Sequence, residues 1–249
     1  MLVLLPPSES KTAGGGRSRP LDLAELSFPA LTQGRAEVLA ALELTSRNND
    51  AASVLKVSPN LTEEIARNTR LRTAAATPAG RLYTGVLYDA LSLASLDAAA
   101  LRRARRWIVI QSAAFGALRL GDKIPPYRLS MGVSLPGVGP LAAWWRPHLA
   151  PEMTAAAGRK LVVDCRSSTY AAAWTPGPAS ALRWVRIDVP GATHNAKHTR
   201  GLVTRAICQL MTEPTTPQAL QAALSPSFQT SLVPAAAATK PWSLRITAR

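Results

Sequence analysis

Met1-Leu-Val-Leu-Leu5-Pro6-Pro7-Ser8-Glu9-Ser10-Lys11-Thr12 opens the chain, and its reading decides the fold class. Five consecutive apolar residues show no alternation, so both faces of the segment need cover. That is the pattern of a short, fully buried strand. Pro6-Pro7 cannot extend a strand ladder and ends it. Ser10 to Arg19 then forms a Gly-rich basic loop. A loop at the carboxyl end of a buried strand is where α/β proteins place ligand-binding groups. Gly14, Gly15 and Gly16 do not make a Walker A motif, because Lys11-Thr12 precedes the glycines instead of following them.

Working outward, the same apolar signature returns in Trp107-Ile-Val-Ile-Gln111, in Leu161-Val-Val-Asp164-Cys165 and in Trp184-Val-Arg-Ile-Asp-Val189. Trp242 to Thr247 alternates cleanly and predicts a final, half-exposed strand. Helical spacing appears over Arg35 to Thr45 through Val38, Leu39 and Leu42. It recurs over Leu91, Leu93, Leu96 and Leu101, and over Gly201 to Met211 through Leu202, Ala206, Ile207 and Leu210. Arg81 to Leu87 alternates and ends near a glycine. Residues 53–71 read as two short helices joined by the turn Ser58-Pro59-Asn60, with Glu63 and Glu64 in a helix's first turn, where the dipole favours acid. That pair is either an ordinary αα-hairpin or an element docking on a nucleic-acid backbone. It lacks the Gly-x-Gly turn that frees amides for phosphate. With no internal repeat and no linker, the expectation is one α/β domain over residues 1–249: a mixed sheet, surrounding helices and a basic cleft at the strand ends.

The 249 residues are 47% hydrophobic and 18% charged, enough apolar content for a sizeable core. Lys and Arg number 29 against 15 Asp and Glu, a formal charge of +14. Such an excess attracts phosphate through Coulomb steering and counterion release. Coding bias toward Arg and Ala gives the same composition without a polyanion partner. Two cysteines and three histidines offer no disulfide framework and little for a structural metal, so no metal and no cofactor is expected. The apolar start is too short, and lacks the basic flank, for a secretory leader, and no apolar run approaches a membrane span. A cytoplasmic protein without a membrane partner is the expectation.

Four segments gather polar groups beside the buried strands: Pro6 to Thr12, Ser112 to Gly132, Asp164 to Tyr170 and His194 to Gly201. They supply the candidate anion- and DNA-binding residues Ser8, Lys11, Arg119, Tyr127, Arg128, Arg166, Ser167, Tyr170, Lys197 and Arg200. Convergence of strand-end loops would bring Lys11, Arg128, Arg166, Lys197 and Arg200 into one cleft, and clustered cations of that kind make sense only with an anion to receive. Otherwise each is a scattered, solvated charge. Lys197 and Arg200 lie three apart, just ahead of the helix expected from Gly201. The run Arg102, Arg103, Arg105, Arg106 reads as a solvated face or as part of the same footprint. Cys165 beside Arg166 has the setting of a lowered thiol pKa, against the simpler reading of a buried, inert cysteine. His194 and His198 have a metal spacing on a helix but no acidic companions. Ser8 with Lys11 has the residue types of a Ser/Lys dyad, and Lys11 as a plain anion binder is simpler.

The same segments resemble the YaaA peroxide-stress protein family. The opening through Ser8-Glu9-Ser10-Lys11-Thr12 is similar to that family's start. So are Tyr83-Thr-Gly85, Gly116 with Leu118-Arg119, Pro126-Tyr127-Arg128-Leu129-Ser130-Met131-Gly132, and Ala196-Lys197-His198-Thr199-Arg200-Gly201. The matches run in order over almost the whole chain, and the Pro-Tyr-Arg-Leu-x-Met-Gly string is the specific one. Leu120 departs where many members have proline, and Thr169 where an acidic residue often precedes the tyrosine. The resemblance implies a single-domain α/β fold with a basic cleft. It also implies duplex DNA binding with a helix-hairpin-helix-like element, falling here on residues 53–71, and protection against peroxide damage linked to limiting free iron. In that reading Tyr127 and Tyr170 stack on bases or orient the cations. The alternative is an enzyme acting on a small anionic or nucleotide substrate in the same cleft.

Overall fold

The opening strand stands as read: Leu2–Leu5 is β1, with every residue buried. The structure, a computed structural model, describes residues 1–13, 18–177, 180, 182–191 and 193–247; the expected glycine loop at Gly14 to Gly16 lies outside them. The described residues build a mixed α/β fold. Its centre is a seven-stranded sheet of β1, β2 (Ile108–Ser112), β3 (Gly116–Leu118), β4 (Val162–Asp164), β5 (Trp184–Asp188), β6 (Gln229–Val233) and β7 (Trp242–Thr247). The order is β6-β7-β5-β4-β1-β2-β3. Pairing from β7 through β5, β4 and β1 to β2 is parallel, with Val3 opposite Ile108 and Val163. The two edge strands, β3 and β6, run antiparallel. Every residue of β1, β2 and β4 is buried, as strands covered on both faces must be. β7 buries alternate residues at Leu244 and Ile246 and leaves Arg245 and Thr247 exposed, the half-exposed strand expected from its alternation.

Around the sheet lie helices α1 (Thr32–Ser46), α2 (Ala51–Val54), α3 (Thr62–Arg67), α4 (Val86–Leu91), α5 (Ala98–Trp107), α6 (Leu141–Ala157), α7 (Ser168–Ala171), α8 (Thr193–Gln209) and α9 (Pro217–Leu224). Residues 53–71 do hold two helical pieces, but the first is the single turn of α2. Lys56 follows it in left-handed backbone at φ 55°, and α3 runs into a 3₁₀ turn at Asn68–Arg70. The alternation of Arg81 to Leu87 forms no strand. It straddles a helical turn, Ala79–Leu82, and the start of α4, with Gly85 at φ 92° between them. The Leu91 to Leu101 segment is broken as well: Ser92 takes left-handed backbone, and Asp97 caps a new helix by accepting from the Ala100 amide.

The largest difference concerns α8. Apolar spacing begins at Leu202, yet the helix begins at Thr193. Its first turns carry exposed His194, Asn195, Lys197 and His198, which have no apolar partner to reveal a helix in the sequence. Lys197 and Arg200 therefore lie inside the helix and not ahead of its N-terminus. Gly201 is where α8 crosses α4, and a Cβ there would overlap the Leu87 carbonyl oxygen. The Arg102 to Arg106 run falls on α5, with Arg105 and Arg106 exposed and Arg103 donating to the Cys208 carbonyl at 2.7 Å.

Candidate functional site

The strand order places the site. The chain leaves β1 for β2 on one side, then returns across β1 to lay down β4 and β5 on the other. Connections thus diverge between β1 and β4, and open parallel sheets receive ligands at the carboxyl ends of the strands flanking such a point. The loop after β1 carries Ser8 to Thr12, and the segment after β4 carries Arg166 to Tyr170.

A recess of about 140 Å³ opens there, lined by Ser8, Glu9, Lys11, Lys56, Arg128 and Tyr170 among others. Lys11 and Arg128 also line an adjoining recess with Glu64, Arg67 and Tyr127. Arg67 and Pro126 are shared with a third, which adds Arg70, and Ala13 joins that to a fourth holding Arg81. Each of the four thus shares lining residues with the next.

Lys11 stands where the first two meet. Its Nζ donates to the Ser8 carbonyl at 2.8 Å and to the Glu9 carbonyl at 3.4 Å. It lies 4.1 Å from the centre of the Tyr127 ring and 5.4 Å from that of Tyr83. Among the described residues it has no ion-pair partner. Burial and the neighbouring positive charge of Arg128 lower its pKa to about 7, with Glu9 opposing. The rings that hold it are fixed from below: the Tyr127 hydroxyl hydrogen-bonds to Tyr83 at 2.9 Å and to Ser112 at 2.7 Å, at the carboxyl end of β2. Burial pushes the Tyr83 and Tyr127 phenols well above their ordinary range and Tyr170 up to about 12, so all three are neutral at physiological pH.

Arg128 is held through its backbone. Buried Asn68 accepts from the Arg128 amide at 2.8 Å and donates to its carbonyl at 2.9 Å. The guanidinium then meets the Glu9 carboxylate at 3.0 Å. Glu9 is largely exposed, so this pair is weak. Lys56, which lines the same recess, donates to the Gly132 carbonyl at 3.0 Å.

Of the residues expected from sequence, Ser8, Lys11, Tyr127, Arg128 and Tyr170 are brought together, and Ser167 is exposed just ahead of α7. Arg166 is not a cleft cation. It is 1% exposed and pairs with Asp164 through Nε at 2.8 Å and Nη2 at 2.6 Å, while Nη1 donates to Gln111 Oε1 and to the Trp174 carbonyl. Arg119 turns away from the strand ends, donating to the Arg106 carbonyl at 2.9 Å and the Ile108 carbonyl at 3.3 Å, at the start of β2. Lys197 and Arg200 line none of the four recesses. Arg200 is half-buried on α8, with its Nε lacking a partner among the described residues. Cys165 and Cys208 are buried free thiols that burial pushes up to about 12. Among the described residues no three His, Cys, Asp or Glu side chains are grouped to hold a metal, and no helix is long and apolar enough to cross a membrane. Lys56, Asn68, Arg67, Arg70 and Arg81 were not singled out in the sequence. The first four fall on or beside the 53–71 element, which is their only signal.

The model of the family described as Peroxide stress protein YaaA matches residues 1–231. A UPF0246 protein of Streptomyces coelicolor is 47% identical, over 99% of this chain and 98% of its own length. One from Corynebacterium efficiens is 41% identical over 87% and 88%, and one from Cereibacter sphaeroides 34% over 74% and 72%. The chain therefore belongs to the peroxide stress protein YaaA family.

Proposed function

We propose that the chain is a cytoplasmic DNA-binding protein of the peroxide response, holding duplex DNA along the run of recesses that begins at the switch point. One observation carries this reading. The four recesses, each sharing lining residues with the next, are lined among the described residues by Lys11, Lys56, Arg67, Arg70, Arg81 and Arg128 against only Glu9 and Glu64. Six cations spread over four adjoining recesses match a phosphate backbone better than they match a single small anion. Backbone contacts of this kind carry no base code, so binding is weakly sequence-selective. Bound DNA is covered along that length, which fits a part in limiting peroxide- and iron-driven damage.

The test is a titration of labelled duplex at several salt concentrations. Counterion release makes log K linear in log salt, with a slope of about −0.9 for each phosphate neutralised. Arg70→Glu and Arg81→Glu should each weaken binding uniformly across sequences and flatten the slope by roughly one unit. A flat salt response in the wild-type protein, or slopes unmoved by both substitutions, overturns the reading. A second reading, an enzyme acting on an anionic substrate, is favoured by one feature alone: the desolvated Lys11 amine held among neutral tyrosines.

A further inference from the structure

Lys11 differs from every other lysine of the chain. Lys56, Lys123, Lys160, Lys197 and Lys240 are exposed, whereas Lys11 is half-buried against the Tyr127 and Tyr83 rings at the junction of two recesses. Plain phosphate binding does not call for this. An ammonium meant to meet phosphate is best left hydrated, charged and mobile, and burying it beside Arg128 works against all three. The arrangement suits a nucleophile. A neutral amine has two N–H donors and one lone pair. The carbonyls of Ser8 and Glu9 take the two donors, which leaves the lone pair free. The groups facing it are Arg128 and Tyr127 from the segment after β3, Tyr83 from the turn before α4, Glu64 and Arg67 from α3, and Glu9 from its own loop. Arg128 and burial both favour the uncharged amine. With its pKa near 7, about half the amine is free at neutral pH, roughly three orders of magnitude more than for an ordinary lysine near 10.4.

We infer that Lys11 is an imine-forming amine that receives the aldehyde of a phosphorylated sugar, with the ring-opened abasic site of DNA as its polymeric source. The amine adds to the carbonyl carbon, a proton passes from nitrogen to the carbonyl oxygen, and loss of water leaves a C=N bond; one amine and one aldehyde give one imine and one water. Nothing is oxidised or reduced. Arg128 and Lys56, which line the same recess, are placed to hold the flanking phosphates. A lysine that captures abasic sites gives the DNA-binding groove a lesion to find, so the inference rests on the DNA reading for its polymeric substrate and on the recess alone for its chemistry.

The experiment is borohydride trapping with the full chain at pH 7. Three probes are used: a labelled duplex containing one abasic site, the same duplex intact, and pyridoxal 5′-phosphate as a soluble phosphorylated aldehyde. Adducts are mapped by peptide mass. The expected result is a covalent complex with the abasic duplex and none with the intact one, the mass increase on Lys11 exceeding that on any other lysine at least tenfold. Lys11→Arg keeps the charge and should lose the adduct; unfolding curves check its fold, and the wild-type peptide map stands independently of it. Binding of both duplexes without a Lys11 adduct from any probe overturns the imine and leaves the groove. A Lys11 adduct with pyridoxal phosphate, but no duplex binding at low salt, overturns the DNA source and keeps the amine. Adducts spread evenly over the exposed lysines overturn the inference.

Discussion

Replacing Asn68 with alanine tests whether the groove depends on a buried amide beneath it. Asn68 is fully buried. Its side chain bridges both backbone groups of Arg128, at 2.8 Å and 2.9 Å, and donates to the Ser46 hydroxyl at 3.1 Å. Alanine leaves the Arg128 amide and carbonyl without their partner and opens a small void. An unsatisfied buried polar group costs about 1–3 kcal/mol. The Arg128 groups are only partly buried and water recovers some of this, so the net loss is about 2–4 kcal/mol. For a chain of this size each kcal/mol moves the melting temperature by about 2–4 °C, which gives a fall of roughly 5–15 °C. Asn68→Asp keeps the acceptor for the Arg128 amide, loses both donors and sets a carboxylate against the Arg128 carbonyl, so it should be nearly as damaging. Denaturant unfolding with an unchanged m-value measures the loss. Duplex titration at a temperature where both proteins are folded should show weaker binding, because Arg128 is no longer held. Unfolding within 0.5 kcal/mol of wild type, together with unchanged duplex affinity, would refute the idea that this amide positions the site.

Two further outcomes follow from burial. Because Cys165 and Cys208 are enclosed with thiols raised to about 12, they should resist alkylation until the protein unfolds, and replacing both with alanine should leave peroxide protection in cells intact; reaction of either thiol in the folded protein at neutral pH contradicts this. Lys11 should also leave a mark on stability against pH. Its folded pKa of about 7 lies below the unfolded value near 10.4, so between them the unfolded chain binds more protons and this residue's contribution makes stability rise with pH. The difference in unfolding free energy between wild type and Lys11→Met should therefore change in favour of wild type from pH 7 to pH 10, and a pH-independent difference counts against a lowered Lys11 pKa.

What was legible in the sequence was what is periodic or saturated with apolar residues. β1, β2, β4 and β5 lie within a residue or two of their expected positions; for β1, β2 and β4 the reason is that a strand buried on both faces has no other way to look, and β5 shares most of that signature although Arg186 is exposed. The loop after β1 was legible as a candidate site by its place alone. What escaped notice lacks pattern. The first turns of α8 carry the single apolar residue Ala196 among exposed polar ones, too little for a period, so their helicity follows from the chain that continues them. Asn68 is one amide in a short helical stretch, and its bond to Arg128 spans 60 residues. Tyr83, read only as part of a family motif, becomes one wall around Lys11 because Tyr127 reaches it from 44 residues away.

Arg166 and Arg128 looked alike as strand-end cations, and their separate fates follow from spacing. Asp164 and Arg166 are two residues apart where the chain is still extended, and that period puts both side chains on one face. They meet there at 2.6 Å, beneath the site and out of water. Burial alone would raise the Asp164 pKa, but the charge and hydrogen bonds of Arg166 outweigh it and hold the carboxyl below its ordinary value. The pair also ties strands together: Trp184 on β5 donates to Asp164 at 3.1 Å, and Arg166 donates to Gln111 on β2. Breaking a buried pair of this kind by removing one partner strands the other charge and costs several kcal/mol. Arg128 has no such neighbour in sequence. Its acid, Glu9, comes from 119 residues away and stays exposed. One arginine is thus consumed in bracing the floor of the switch point, and the other is left at the recess wall, its guanidinium held only by an exposed carboxylate.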